Sequence, residues 1–219
     1  MNAPKSAVEE AERRILQSGS PQSSSVPQAP YTPKTCVLAQ NGDAGRRIVF
    51  CHNAGMSACR THHYRTQTTW TGNLGSGTSS YTAYSRNYDL NAAKKSAPIS
   101  GSSDPMFRGD ATRYNPEELL LGAISSCHML WVLHLCADAG IVIMAYVDEA
   151  EAEMAEHPDG SGEFTCAVLR PRMTITDASR IQDAVDLHHR AHELCALARS
   201  MAFPVAHEPQ VVCTADLVK

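Results

Sequence analysis

The chain has 219 residues, a formal net charge of −4 and 43% hydrophobic residues. This suits one domain with an extension or two small domains, with enough apolar side chains for a soluble core. The acidic balance and the lack of a Lys/Arg stripe leave no electrostatic footprint for nucleic acid. The longest apolar stretch, in the 119–136 region, is interrupted by Ser125, Ser126, Cys127, His128 and His134. A membrane span of about 20 apolar residues is therefore not expected. The N-terminus carries glutamates and lacks an apolar signal core, so a cytoplasmic location is expected. Eight cysteines without a CxxC pair then read as free and mostly buried thiols, one or two of them reactive.

Residues 1–55 open with a short polar helical pattern (AVEEAERRIL) and continue into the Ser/Pro/Gln-rich SGSPQSSSVPQAPYTP. Such a composition buries too little apolar surface to order itself, so 1–55 is expected to be mostly disordered. Met56 is a candidate natural start, and 56–219 is the expected domain.

From about 62 the pattern becomes globular. HYRTQTTWTG and TSSYTAYSRNY alternate like half-buried strands around the turn signal NLGSG, predicting a β-hairpin, and SAPISGSSDP to MFRGDATR reads as a loop. A helix is predicted over 115–139, with Asn115 as cap, Pro116 in its first turn, Glu117 and Glu118 at the positive dipole end, and Gly140 as stop. IVIMAYVDEAEAEMAE and EFTCAVLRPRMTIT, joined by HPDGSG, predict a second, longer hairpin. Asp177 caps a helix expected to reach about Arg199, and MAFPVAHEPQVVCTADLV closes the chain as a strand segment. The order ββ–α–ββ–α–β predicts an α+β fold in which two long central helices pack with antiparallel sheets.

Two clusters carry chemistry. Cys127, midway along the first helix and followed by His128, is by pattern alone a buried small hydrophobe, a metal ligand or a nucleophile. It lies too far from the helix N-terminus for the dipole to activate it, so a cation from elsewhere is needed. In LHHRAHELCALARS, His188, His192 and Cys195 share one helix face, as metal ligands or as satisfied side chains of a polar flank. No HExxH or CxxC accompanies them.

The motif NPEELLLGAISSCHML, followed by LHHRAHELCALARSMAFPV, resembles the osmotically inducible protein C / organic hydroperoxide resistance (OsmC/Ohr) family. An Asn-Pro-Glu helix start precedes a cysteine ten residues beyond the first Glu, as Glu117 precedes Cys127. A second helix carries Cys195 shortly before Phe203-Pro204-Val205, and WTGNLGSGT and GSSDPMFRGD match the family's N-terminal half. The likeness covers roughly 60–212 and leaves out 1–55. CALARSMAF departs from it, where relatives often carry bulkier or amide residues.

The resemblance implies an OsmC-like fold, an intertwined homodimer with active sites at the subunit interface, and a cysteine-based peroxidase reducing organic hydroperoxides. By motif position Cys127 is the peroxidatic cysteine and Cys195 the resolving one. Glu117 clamps an arginine, expected to be Arg108, with Arg113 as the alternative. The reductant is a dithiol of the lipoylated-protein or thioredoxin-like class, and no cofactor, metal, nucleic acid or membrane is implied. Cys136, Cys166 and Cys213 read as core, and His128 as packing or as tuning the thiol. Two further readings stay open: a non-enzymatic OsmC-fold dimer that binds a hydrophobic small molecule or senses redox state, and a zinc protein using Cys127, His192 and Cys195.

Overall fold

The computed structural model describes residues 61–217; the readings made for 1–55 and Met56 lie outside the described residues. Strands β1 (Gln67–Trp70), β2 (Tyr88–Asn91) and β3 (Ile99–Gly101) form a three-stranded antiparallel sheet. An antiparallel pair is therefore present, but not the hairpin expected around NLGSG, because TSSYTAYSRN does not extend as a strand. The Arg86 guanidinium lies 4.3 Å from the ring centroids of both Tyr81 and Tyr84 and donates to both their carbonyls at 2.8 Å. The segment coils around this cation, and pairing resumes only at Tyr88. β3 comes from the stretch read as loop, where Ser100 stands opposite Asp89.

Helix α1 (Pro116–Asp138) begins as predicted. The Asn115 side chain accepts from the Glu118 amide at 2.7 Å, and the Glu118 carboxylate accepts from the Asn115 amide at 3.0 Å. This capping box satisfies two otherwise orphaned donors. Gly140, at φ +71, follows the helix in the left-handed conformation that glycine adopts without steric cost.

The single long hairpin expected next is folded into four strands: β4 (Ile143–Asp148), β5 (Glu151–Glu156), β6 (Gly162–Leu169) and β7 (Pro171–Ile175). β4 pairs with β7 and β5 with β6, so both arms break at the same level. The break has an identifiable cause. Pro171 offers no N–H to a ladder, and the preceding Arg170 amide donates to the Asp148 carboxylate at 2.7 Å instead of to a strand.

Each pair gains a third strand, and both additions are parallel: β8 (Val205–His207) beside β6 and β9 (Gln210–Cys213) beside β7. The expected antiparallel sheets are thus mixed. Helix α2 (Ile181–Leu194) is shorter than predicted. Asp177 caps a preceding 3-10 turn, and the chain turns extended at Cys195 before a second 3-10 turn over Ala198–Ser200.

α1 serves two cores. Toward its C-terminal end, Val132 and Cys136 pack with Ile141, Met173, Ile175, Ala184 and Ala191, between the β4–β7–β9 sheet and α2. Toward its N-terminal end, Ile124 packs with Ala167, Leu169 and Val205 of the β5–β6–β8 sheet. The turn carrying Cys127 and His128 lies between the two. By length and composition α1 could also cross a membrane, but Ser125 and His128 are bonded to other elements of the fold.

Candidate active site

Two contacts fix the middle of α1. The Ser125 hydroxyl donates to the Asp148 carboxylate at 2.5 Å, tying the helix to the corner between the two sheets. One turn later, His128 Nε2 meets His188 Nδ1 of α2 at 3.1 Å, with both rings fully buried. These bonds set the rotation of α1 and so the direction of Cys127.

Cys127 and Cys195 are brought close enough to act on each other electrostatically, although 68 residues separate them. Cys127 is half-buried, whereas Cys195 is completely buried and accepts a 3.5 Å contact from the Ala198 amide. Burial pushes the Cys195 thiol up to about 11, and the neighbouring Cys127 thiol pushes the same way. The end of α2 explains the placement: Cys195 closes the helix with its amide bonded to Ala191 and His192, and its extended backbone turns the following residues away.

On its solvent side Cys127 borders an open cleft of about 380 Å³, lined also by Leu130, Trp131 and His134. All four belong to one face of α1. Leu130 is 61% exposed, and Val142 and Met144 are exposed as well.

The expected arginine–glutamate clamp is not assembled among the described residues. Arg108 sits at φ +66 after the 3-10 turn Pro105–Phe107, is exposed, and has no ion-pair partner there. Glu117 projects from the first turn of α1 toward Tyr88, whose hydroxyl is held above its usual range by burial and then by the Glu117 charge. Its Oε2 is buried without a hydrogen-bond partner. Arg113 faces Asp89 at 3.8 Å and Asp110 at 3.6 Å, and its Nη1 makes no hydrogen bond. Glu118 is occupied by the cap.

His188, His192 and Cys195 do share one face of α2, as their spacing implied, but that face is not a polar flank. His188 and Cys195 are fully buried, and His192 is half-buried. With His128 and His207 they form a stack of imidazoles that the sequence reading did not assemble: the ring centroids of His128 and His207 lie 5.5 Å apart, and those of His192 and His207 4.8 Å. The signal missed was the histidine ending PVAH, since a terminal strand returning beside β6 carries it onto the helix pair. Among the described residues no three His, Cys, Asp or Glu side chains are arranged to hold a metal ion. Cys136 and Cys213 are core, whereas Cys166 is only half-buried on β6.

The family model described as OsmC-like protein matches residues 109–209. Among solved structures, an OsmC-like protein of unknown function from Vibrio cholerae is 28% identical with a TM-score of 0.61, covering 68% of this chain and 99% of its own. An OsmC-like protein from Mycoplasma pneumoniae, 9% identical, gives a TM-score of 0.54 and covers 70% and 99%. An organic hydroperoxide resistance protein from Elizabethkingia anophelis, 16% identical, gives 0.50 and covers 71% and 100%. At those two identities the likeness is one of fold. No match was found among the curated proteins. The matched segment runs from the loop before the capping box, through both thiol-bearing helices, to the residue before the last strand, and over it the chain is similar to OsmC-like proteins and has their fold.

Proposed function

We propose that the protein is a thiol-dependent peroxidase that reduces organic hydroperoxides to alcohols. The observation that carries the reading is the meeting of a half-exposed thiol, Cys127, with a buried one, Cys195. The Cys127 thiolate attacks the distal peroxide oxygen, the O–O bond breaks, and the alkoxide leaves as alcohol after taking a proton. Cys127 becomes a sulfenic acid. The Cys195 sulfur then attacks the sulfenic sulfur, a disulfide forms and water departs. An external dithiol of the lipoylated-protein or thioredoxin-like class returns both thiols through exchange. The apolar cleft of Leu130 and Trp131 favours a hydroperoxide with a hydrocarbon body.

Thiolate formation needs a cation. Arg108 fills that role by its motif position, and no carboxylate among the described residues engages it, whereas Arg113 already faces Asp89 and Asp110. Glu117, with one buried oxygen unpaired, is the group to clamp it. The site is completed in a homodimer in which a second copy covers the exposed apolar face of α1. We place the reaction in the cytoplasm, where a reducing pool keeps thiols free.

A stoichiometric pulse of tert-butyl hydroperoxide, followed by non-reducing peptide mapping, is expected to yield a Cys127–Cys195 disulfide and an equivalent of alcohol. Recovery of both thiols unmodified, with the hydroperoxide intact, sinks the reading and favours a binding module instead.

A further inference from the structure

On the same two helices as the thiols lies a group of histidines that the proposed peroxidase chemistry does not use. His128 of α1 bonds His188 of α2 at 3.1 Å, and their rings stack with centroids 5.3 Å apart. His207 of β8 lies over both helices, with its ring centroid 5.5 Å from that of His128 and 4.8 Å from that of His192. His189 bonds His207 Nε2 from the outer side at 2.9 Å. The cluster is underpaired: His128 Nδ1, His188 Nε2 and His192 Nδ1 are all buried without a hydrogen-bond partner. Such a set packs as neutral rings, and it has little room for charge.

The surroundings sharpen this. From β4, Tyr146 stacks on His188 at 6.1 Å with its own hydroxyl buried and unpaired, and the Asp148 charge behind it is already engaged by Ser125 and the Arg170 amide. From β7, Thr174 presents another buried, unbonded hydroxyl. On α2 itself, Glu193 acts on His192 but pairs with Arg190 at 2.7 Å. Among the described residues, no carboxylate stands within the cluster to welcome an imidazolium. Burial, followed by the neighbouring imidazoles, holds His128 and His207 down to about 3 and His188 to about 4; burial also lowers His192.

We propose that this cluster is a proton-operated latch: neutral, it clamps α1 against α2 and keeps Cys127 facing Cys195, and proton uptake in mildly acidic medium parts the helices and separates the thiols. The placement argues for it, since His128 follows Cys127 directly and His192 precedes Cys195 by less than one helical turn. The linkage has a definite sign. A ring whose pKa is lowered in the closed form stabilises that form fully above its free value near 6.5 and loses that advantage as pH falls. Each imidazole that charges only on opening shifts the open-to-closed ratio about tenfold per pH unit. As regulation of catalysis the latch rests on the peroxidase reading above; as a device on the thiol pair it does not.

The test uses diamide on the full chain, because this oxidant takes two electrons and two protons while two thiols become a disulfide, with no peroxide involved. The rate of Cys127–Cys195 disulfide formation is divided by that of free dithiothreitol at each pH, which removes the common thiolate dependence. The ratio is expected to hold between about pH 8 and 7 and to fall about tenfold or more by about pH 5, with the near-UV circular dichroism changing in step. His188→Phe is expected to flatten the profile, and His192→Gln, at the half-buried edge, to make it shallower. NMR of the wild-type ring protons gives a check that needs no variant. A diamide ratio level down to about pH 5, or His128 and His188 charging near 6.5 without change in the near-UV signal, overturns the latch. Hydroperoxide turnover at about pH 8 separates the two readings. Turnover with a level diamide profile keeps the peroxidase and removes the latch, whereas a falling diamide profile without turnover does the reverse.

Discussion

The middle of α1 and the end of α2 each present one thiol, and they treat it oppositely. Cys127 sits within an intact helix, half-buried beside an open apolar cleft. Cys195 stands where a helix stops, with no exposed surface and its acidity suppressed by burial. A thiol reached by substrate must be accessible, whereas one that needs only to trap an oxidised partner can wait in a dry site until that partner forms. The asymmetry supports the proposed order of events, and it does so through burial and not through residue type.

The largest test of that asymmetry removes each sulfur in turn. Cys127→Ser is expected to abolish hydroperoxide consumption. Cys195→Ser is expected to keep one rapid equivalent and then stop, with Cys127 passing to sulfinic acid because nothing traps the sulfenic state. Intact-mass spectrometry after a hydroperoxide pulse distinguishes the two. Equal loss of the first equivalent in both variants would remove the division of roles.

A second test asks what makes Cys127 the reactive member. Arg108→Ala is expected to slow the first oxidation about a hundredfold while leaving the thermal midpoint nearly unchanged, since an exposed loop side chain contributes little packing. Arg113→Ala is expected to cost less activity, because Arg113 faces Asp89 and Asp110. Stopped-flow oxidation of both variants measures this, and the reverse ranking would transfer the role to Arg113.

The smallest expected effect concerns how the two thiols are held in register. Asp148→Ala removes the acceptor for Ser125 and for the Arg170 amide, at an expected cost of about 2–3 kcal/mol in urea unfolding. A Cys127–Cys195 disulfide that forms more slowly in this variant would show that the tether orients α1. An unchanged rate would leave orientation to the histidine contact alone.

Much of this was legible in the chain itself, for reasons that are local. The N-terminal end of α1 is written in Asn115, Pro116 and Glu118, which close a capping box among near neighbours, and Gly140 marks the other end through its own backbone. The face shared by His188, His192 and Cys195 follows from helical spacing. The position of Cys127 ten residues beyond Glu117 was likewise there to be read.

Tertiary structure decided the rest, because it depended on groups far apart in sequence. Alternation over 141–156 and 163–176 is satisfied equally by one long hairpin or by two shorter pairs, and the break was chosen when the Asp148 carboxylate took the Arg170 amide ahead of Pro171. The coil after β1 replaced a strand because one guanidinium found two tyrosine faces and two carbonyls. His207 joined the helix pair only through a parallel strand beside β6, a pairing that no local pattern specifies. The sequence by itself determined which side chains lie along each helix face. Only the packing of α1 on α2 determined that Cys127 and Cys195 meet, because that contact depends on the crossing of two helices and on the buried bonds that lock it.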